Sequence, residues 1–141
     1  MDKSVRILER APTVVEYCEL IHSVGFRRRD PRAIEIALGN SIFAVCAEMN
    51  SEVVGCGRVI GDGGLHFYLA DIIVRPEYQR QGIGTRIVAA LTRFVESLPY
   101  VNTVIGVMPT KGMSRLYTHH GYKVQDSDSP AMLRWINRDD Q

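Results

Sequence analysis

The feature that most constrains the fold is the segment 69–85, near the middle of the chain. It contains a β-branched apolar run at 72–74, a composition that is typical of a strand buried on both faces. Pro76 ends this run, because proline has no N–H group for the next hydrogen bond of a sheet. A short polar loop then leads through Gly82 and Gly84 into an amphipathic helix. The segment therefore predicts a strand, a glycine-containing turn and a helix, in that order.

This order of elements is suited to binding an anion. The first N–H groups of a helix have no partner within the helix, and the helix dipole adds partial positive charge there. Glycine lets the backbone approach a phosphate closely, and Arg80 adds a fixed positive charge. The spacing fails the dinucleotide fingerprint at its third glycine, and no P-loop lysine motif is present. We interpret the turn as a phosphate-binding site; the alternative is an ordinary glycine-rich connection.

A more specific pattern lies in the same segment. Val74-Arg75-Pro76 precedes Gln79-Arg80-Gln81-Gly82-Ile83-Gly84, which fits the pattern Gln/Arg-x-x-Gly-x-Gly/Ala. This pattern resembles the acetyl-CoA signature of the GNAT superfamily of N-acetyltransferases. The resemblance implies that the turn binds the diphosphate of acetyl-CoA (coenzyme A), which serves as co-substrate. The residues that it assigns to cofactor binding are Ile72, Ile73, Val74, Gln79, Arg80, Gln81, Gly82, Ile83, Gly84 and Thr85.

A second segment, 116–122, supports the same resemblance. It reads Leu-Tyr-Thr-His-His-Gly-Tyr and is similar to the family ending Leu-Tyr-x-x-x-Gly-Phe/Tyr, in which the tyrosine faces the thioester sulfur. The resemblance implies that Tyr117 is catalytic, as the acid that protonates the leaving thiolate. The alternative for Tyr117 is a core aromatic residue with a hydrogen-bonded hydroxyl. His119 and His120 are assigned no chemistry, since histidines in the last turn of a helix favour the negative end of its dipole.

Transfer of an acetyl group to an amine also requires an uncharged nucleophile. An alkylammonium with a pKa of ~10.4 costs about 4 to 5 kcal/mol to deprotonate at pH 7, so a general base is expected. The glutamate that some relatives carry after the crossover helix has no counterpart in 103–107, and Thr110 replaces a cofactor-contacting asparagine. Asp71 is the best remaining candidate for the catalytic base, since a carboxylate in an apolar run is costly to bury unless paired or functional.

Alternatives to Asp71 as the base stay open. Its carboxylate could form a structural ion pair instead, for instance with Arg58. His66 and Tyr68, from the same strand, are weaker candidates. A chain of water molecules that ends on backbone carbonyls would need no side-chain base at all.

The composition fits one soluble globular domain over residues 1–141. Hydrophobic residues make up 45% and charged residues 23% of the chain, and the formal net charge of +1 predicts neither a nucleic-acid nor a membrane partner. No apolar run approaches the ~20 residues that span a bilayer, and the N-terminus lacks a signal-peptide core. We expect a cytoplasmic protein without a metal, in which Cys18, Cys46 and Cys56 are reduced packing residues.

Hydrophobic periodicity and capping signals predict the other elements. Thr13 with Glu16 forms a capping box, and Asp30-Pro31 starts a second helix. The predicted strands are 4–10, 42–48, 53–60, 65–74 and 104–108, with a closing hairpin at 122–124 and 132–136; the predicted helices start at Thr13 and Pro31 and span 83–98 and 113–120.

This order predicts an α/β (α+β) fold, with a mixed, mostly antiparallel sheet and helices on both faces. It resembles the GNAT fold over essentially the whole chain, so we expect a single GNAT-like domain. The resemblance implies that two central parallel strands, one ending at Val74 and one starting at Val104, splay apart and admit the pantetheine arm of the cofactor. A backbone N–H at Ile73 or Val74 could then stabilise the oxyanion.

We therefore predict an enzyme, an acetyl-CoA-dependent N-acetyltransferase that acts on a primary amine of a small molecule or peptide by direct attack in a ternary complex. The alternative is a non-catalytic acetyl-CoA-binding sensor or interaction domain of the same fold. A nucleotide-binding protein is disfavoured, because the chain lacks a P-loop lysine and a carboxylate cluster for Mg²⁺. The run Arg27-Arg28-Arg29 suggests an acceptor with a negative group or a solvated loop. The resemblance also leaves a homodimer open.

Overall fold

The computed structural model describes residues 4–136 of the chain. The elements within this range are β1 (Arg6–Leu8), α1 (Val14–Ser23), α2 (Pro31–Gly39), β2 (Phe43–Met49), β3 (Glu52–Gly61), β4 (His66–Val74), α3 (Ile83–Glu96), β5 (Val104–Gly106) and α4 (Ser114–Thr118), with a short 3-10 helix at Pro76–Tyr78. The ends of the predicted domain, 1–3 and 137–141, lie outside the described residues.

The described strands form one sheet in chain order, with β1 at one edge and β5 at the other. Neighbouring strands from β1 to β4 pair antiparallel, and short turns join β2 to β3 and β3 to β4. β4 and β5 pair parallel, since α3 crosses between them in the chain. The predicted fold class, a mixed and mostly antiparallel sheet with helices, is confirmed.

The first two helices begin where the capping signals predict. The Thr13 Oγ1 atom accepts a hydrogen bond from the Glu16 N–H at 3.1 Å, and the Glu16 carboxylate accepts one from the Thr13 N–H at 2.9 Å. Asp30 caps α2 by accepting from the Arg32 N–H at 2.9 Å, with Pro31 as the first helical residue. Each cap satisfies a backbone donor that the helix itself leaves unpaired.

The helices cover the two faces of the sheet and form two apolar clusters. α3 packs on one face and α1 with α2 on the other, because side chains along a strand alternate between the faces. The α3 cluster includes Val45, Val59, Leu69, Ile87, Val88 and Leu91; the α1–α2 cluster includes Leu20, Ile21, Ile34, Cys46, Cys56 and Ile73.

α3 approaches the sheet closely at Gly57 on β3. A Cβ atom at Gly57 would lie 2.7 Å from Ile87 Cγ2 and 2.9 Å from Leu91 Cδ1, both on α3. Contacts that short do not occur between carbon atoms, so only glycine allows α3 to lie this near the strand. The position of α3 over the sheet, and with it the position of its first turn, therefore depends on Gly57.

The parallel strands β4 and β5 pair only over their first residues. The register runs from His66 opposite Val104 to Tyr68 opposite Gly106, whereas β4 continues to Val74. On its other side, β4 stays paired with β3 as far as Val74. From Leu69 onward, the side of β4 that faces β5 therefore has no strand partner among residues 4–136, which agrees with the predicted splay of a parallel pair. In the described sheet β5 is an edge strand, so the pair is not central as predicted.

The predicted closing hairpin is wrong. Neither 122–124 nor 132–136 is in a strand, although both lie within the described range. A polar segment at 125–129 and Pro130 separate the two runs, and Trp135 lies against the α1–α2 loop, with the guanidinium carbons of Arg27 and Arg29 at 4.7 and 5.2 Å from its ring centre. The short apolar alternation predicted strands, but these contacts hold the segment elsewhere.

Two of the cysteines face each other inside the sheet. Cys46 on β2 and Cys56 on β3 are directly opposed in the register, fully buried and not disulfide-bonded. Burial raises the pKa of Cys46 to about 11 and that of Cys56 well above the ordinary value for a thiol. Both thiols therefore stay protonated at neutral pH, as expected of packing residues.

Candidate active site

The turn between β4 and α3 is held in shape by one side chain and two unusual backbone conformations. The Gln79 side-chain amide donates a hydrogen bond to the Val74 carbonyl at 2.8 Å, which ties the loop to the end of β4. Arg80 and Gly82 have left-handed backbone conformations, with φ of 65° and 85°. Arg80 and Gln81 are exposed, so that the basic side chain stands at the surface of the turn.

The N-terminus of α3 has no side-chain cap. Its N-cap residue is Gly82, and no side chain of the described residues hydrogen-bonds to the first turn. The first N–H groups of the helix, from Ile83 to Thr85, precede the Arg86 N–H that bonds back to the Gly82 carbonyl at 3.1 Å. Ile83 anchors the turn, with 2% of its surface exposed, while Thr85 is exposed. The positive end of the helix dipole is thus free to meet an anion.

The register of β4 decides which of its N–H groups face the gap between β4 and β5. The Arg75 N–H donates to the Val54 carbonyl of the β3 side at 2.8 Å. Since N–H groups alternate in direction along a strand, the N–H of Ile73 also faces β3, whereas those of Ile72 and Val74 face the gap. Of the two predicted oxyanion donors, Val74 has the suitable direction and Ile73 does not.

Tyr117 lies on α4 in a buried position next to α3. Its side chain is part of the α3 cluster and 6% exposed, and its ring meets the Tyr122 ring edge-on at 6.0 Å. The Tyr122 hydroxyl pairs with Thr92 Oγ1 on α3 at 2.8 Å. This contact fixes the segment that follows α4 against α3, and Thr92 was not predicted as a site residue from the sequence.

The hydroxyl of Tyr117 is not enclosed by the protein. It makes no hydrogen bond within residues 4–136, although every fully buried side-chain nitrogen or oxygen in that range has a partner. The oxygen must therefore retain some access to solvent. Burial of the ring, with smaller effects of Tyr122 and Tyr68, raises the pKa of Tyr117 to about 12. At neutral pH the phenol is protonated and able to donate a proton.

Tyr68 connects this phenol to the strand gap. It is the last residue of β4 that pairs with β5, opposite Gly106, and it acts electrostatically on Tyr117. The electrostatic effect of Tyr68 on Tyr117 thus involves the residue at which the pairing of the two strands ends. His66, the other weaker candidate for a base, is exposed at the first residue of β4.

The carboxylate of Asp71 is fully engaged by neighbouring donors. Its Oδ2 atom accepts a hydrogen bond from Arg58 Nε at 2.9 Å and lies 2.9 Å from Arg58 Nη2 in an ion pair, and its Oδ1 atom accepts a hydrogen bond from the Tyr17 hydroxyl at 2.9 Å. The Arg58 and Asp71 side chains are only 9% and 13% exposed. These contacts match the structural alternative, an ion pair with Arg58, which the sequence analysis named. The hydrogen bond from the Tyr17 hydroxyl was not predicted, because an aromatic residue on the apolar face of a helix indicates only that it packs in the core.

The guanidinium of Arg58 also reaches α2. Its Nη1 atom donates to the Ala37 carbonyl and to Ser41 Oγ, both at 3.0 Å. Hydrogen bonds that involve a charged group contribute roughly 1.5 to 3 kcal/mol each, so this buried pair is well compensated.

Neither a metal-ligand cluster nor a membrane-spanning helix is present among residues 4–136. Within residues 4–136 no three His, Cys, Asp or Glu side chains are grouped so that they could hold a metal ion. In the same range, no helix has both the length and the apolar character needed to cross a bilayer.

The fold and the site together define a class of protein, an α/β domain in which one strand of a parallel pair has an unpaired edge and the helix that follows it starts without a side-chain cap. The family model of the acetyltransferase (GNAT) domain matches residues 39–124. The chain belongs to this family of acetyltransferases.

Individual relatives agree with the family. The chain is 30% identical to an uncharacterized N-acetyltransferase, ycf52, of Pyropia yezoensis, over 85% of this chain and 70% of that protein. A crystal structure of a probable acetyltransferase from methicillin-resistant Staphylococcus aureus is similar with a TM-score of 0.89 and 28% identity, covering 94% of this chain and all of that one. N-acetylglutamate synthase of Neisseria gonorrhoeae, complexed with coenzyme A and L-arginine, shares the fold with a TM-score of 0.70 and 16% identity, over 93% of this chain and 30% of that one.

Proposed function

We propose that the protein transfers an acetyl group from acetyl-CoA to a primary amine of a small molecule or peptide, by direct attack in a ternary complex. The observation that carries this proposal is the uncapped start of α3 next to the unpaired edge of β4. Membership of the acetyltransferase family supports acetyl transfer in general. A protein of the same fold, the N-acetylglutamate synthase, binds coenzyme A, which supports the choice of donor.

The residues of the site suit the two ends of acetyl-CoA. The first N–H groups of α3 and the Arg80 side chain suit its diphosphate, and Gly82 leaves open space because a Cβ there would meet nothing within 4 Å. The N–H groups of Ile72 and Val74 suit the amides of its pantetheine arm, since no strand satisfies them. When bound, acetyl-CoA supplies an acetyl group that is activated as a thioester.

Tyr117 acts as the general acid in this proposal. As the amine nitrogen bonds to the acetyl carbon, the carbon–sulfur bond breaks and the hydroxyl of Tyr117 gives its proton to the departing sulfur. A pKa of about 12 keeps this proton on the phenol until it is needed. The Val74 N–H, which faces the gap, stabilises the negative charge that develops on the carbonyl oxygen.

The proton of the attacking amine has several routes. Asp71 stays a prediction as the base, but its contacts with Arg58 and Tyr17 favour its structural alternative. Tyr68 and a chain of water molecules ending on backbone carbonyls are the routes that leave the ion pair intact. A pH–rate profile of the Asp71→Asn variant separates the Asp71 route from the other two.

The acceptor side of the site is proposed to lie along the α1–α2 loop and the segment around Trp135. Arg27 and Arg29 lie against that ring and make this surface basic. An acceptor amine with a carboxylate or phosphate group would suit it. The cytoplasmic location, the absence of nucleic-acid and membrane partners, and the homodimer stay predictions.

The test has two measurements. Calorimetric titration with coenzyme A is expected to show binding, and release of the coenzyme A thiol is then measured across polyamines, amino acids, amino-sugar phosphates, aminoglycosides and peptides. Turnover with at least one amine supports the enzyme. Binding without turnover across the panel would indicate the non-catalytic acetyl-CoA-binding domain, and no binding would reject both.

A further inference from the structure

β4 contains one residue more than the part of β3 that faces it. Cys56 pairs with Ile73 and Arg58 pairs with Ala70, so that Gly57 alone stands opposite two residues of β4, Asp71 and Ile72. Asp71 has a φ of 56°, and it is the one non-glycine residue with a left-handed conformation inside a described strand. β4 therefore carries a β-bulge with Asp71 as the extra residue.

The bulge determines which way the side chains and N–H groups point in the rest of β4. Side chains and N–H groups both alternate with a period of two, so removing one residue would reverse every direction after it. With the bulge, Ile72 and Val74 pack toward α3 and their N–H groups face the gap. Without it, the Ile73 N–H would face the gap instead, and the side chains of Ile72 and Val74 would leave the α3 cluster.

The extra residue is held by donors from elsewhere in the fold. Arg58 Nε of β3 and the Tyr17 hydroxyl of α1 each donate a hydrogen bond of 2.9 Å to the Asp71 carboxylate, and Arg58 Nη2 forms an ion pair with it at 2.9 Å. Arg58 in turn bonds to the end of α2, through the Ala37 carbonyl and Ser41 Oγ. The thiol of Cys56 donates to the Asp71 carbonyl at 3.3 Å. Side chain and backbone of the bulge are thus both fixed.

We propose that Asp71 is a positioning residue, which with Arg58 and Tyr17 holds β4 in the bulged conformation that turns the N–H groups of Ile72 and Val74 into the cofactor gap. This inference rests on the proposed function, because it assigns those N–H groups to acetyl-CoA. It gives Asp71 a role through the backbone rather than as a base. Both of its carboxylate oxygens already accept hydrogen bonds, and its donors come from the α1 and α2 side of the sheet.

The experiment compares two substitutions at Asp71. Asparagine cannot act as a base, but it tolerates the left-handed conformation and accepts hydrogen bonds from Arg58. Valine is β-branched and strongly disfavours that conformation. For wild type, Asp71→Asn and Asp71→Val, we would measure calorimetric affinity for coenzyme A, the pH dependence of kcat, thermal unfolding, and amide NMR shifts on adding coenzyme A.

If Asp71 positions the strand, coenzyme A shifts the Ile72 and Val74 amides of the wild type more than that of Ile73. Asp71→Asn then keeps its Kd for coenzyme A within about threefold and keeps the acid limb of the kcat profile. Asp71→Val weakens binding about tenfold or more, the size expected when several charge-assisted hydrogen bonds no longer hold the strand, and loses the two amide shifts.

The inference is overturned if folded Asp71→Val binds coenzyme A like the wild type, or if Asp71→Asn loses the acid limb while its affinity is unchanged, the result expected of a base. If Asp71→Val does not fold, Tyr17→Phe tests the inference instead. This variant removes the hydrogen bond of 2.9 Å from the Tyr17 hydroxyl to the Asp71 carboxylate. A Kd about threefold higher with an unchanged pH profile supports positioning, and an unchanged Kd overturns it. Absence of coenzyme A binding in the wild type would reject the proposed function itself.

Discussion

Tyr117 combines a buried ring with a hydroxyl that keeps access to solvent. The ring is held by Tyr122 and by the packing of α4 on α3, while the raised pKa keeps the proton in place. Such an arrangement is expected of an acid that acts on a ligand rather than on another protein group. Its consequences are measurable at the level of single residues.

The first prediction concerns that proton. Tyr117→Phe is expected to lower kcat by ~10²- to 10⁴-fold, the usual contribution of a general acid, with little change in coenzyme A affinity. Because the pKa of Tyr117 is about 12, Tyr117 keeps its proton up to about pH 11. Deprotonation of Tyr117 should therefore not lower the wild-type rate below that pH. Tyr100→Phe, at an exposed tyrosine, is the control. An unchanged kcat in Tyr117→Phe would make Tyr117 a core residue only.

The second prediction compares two glycines with the same backbone strain. Gly82 and Gly63 have φ of 85° and 87°, and a Cβ at either would meet nothing within 4 Å. Valine is therefore strained equally at both, but Gly63 lies in the turn at the opposite end of β4. Gly82→Val is expected to abolish binding of coenzyme A in calorimetry, while Gly63→Val binds normally with similar loss of thermal stability. If both variants bound coenzyme A equally well, the turn that contains Gly82 would not be part of the binding site.

At the scale of elements, the sequence predicted those helices whose start or packing face depends on neighbouring residues in the chain. The caps at Thr13 and Asp30 and the long amphipathic pattern of α3 needed no tertiary information. The prediction of a hairpin after Gly121 was wrong, because the short apolar alternation competes with a contact between Trp135 and Arg27, which is far away in the sequence. The bulge at Asp71 could likewise not be predicted from the sequence, since it depends on Arg58 and Tyr17, which are distant in the chain.

The third prediction concerns the start of α1. Thr13→Ala removes the acceptor for the Glu16 N–H and is expected to lower the free energy of unfolding by about 1 kcal/mol. Thr13→Ser keeps the oxygen and serves as the matched control. Urea unfolding of the three proteins measures the difference, and an Ala variant as stable as the Ser variant would show that the cap contributes nothing.

The fourth prediction concerns the turn between β3 and β4. Asp62 accepts hydrogen bonds from the N–H groups of Gly64, His66 and Leu65, which lower its pKa to about 2. A carboxyl whose pKa is lower in the folded than in the unfolded chain stabilises the fold above the unfolded pKa, near 4. This stabilisation is lost as the pH falls from about 4 to 2. Asp62→Asn should therefore be less stable than the wild type at pH 7, by urea unfolding, and the difference should narrow at pH 3. A difference that is constant with pH would contradict this.

At the scale of the whole molecule, the sheet separates two sets of groups. α3 and the turn before it lie on one face, and α1 and α2 with the α1–α2 loop lie on the other. The Arg58 ion pair joins α1 and α2 to β4 at the bulge, on the α1–α2 face of the sheet. The overall order of elements and the resemblance to a family predicted this layout, whereas the contacts of Arg58 with Asp71 and with the end of α2 required the structure.

The fifth prediction concerns the stability of the whole domain with coenzyme A bound. If coenzyme A binds only the folded chain, a concentration of 100 times its Kd raises the free energy of unfolding by about 2.7 kcal/mol. Urea unfolding with and without coenzyme A tests this in the wild type, and Gly82→Val is expected to gain nothing. A gain in Gly82→Val equal to that of the wild type would mean that the ligand binds elsewhere.

The opposed thiols of Cys46 and Cys56 have a practical consequence for all of these measurements. A thiol-reactive dye cannot reach them while β2 and β3 stay paired, and neither is ionised at neutral pH. In the native protein such a dye therefore records coenzyme A released as product, above a background from the partly accessible Cys18. Upon denaturation the two hidden sulfurs become labelled as well, so one reagent serves both as an activity readout and as a reporter of sheet opening.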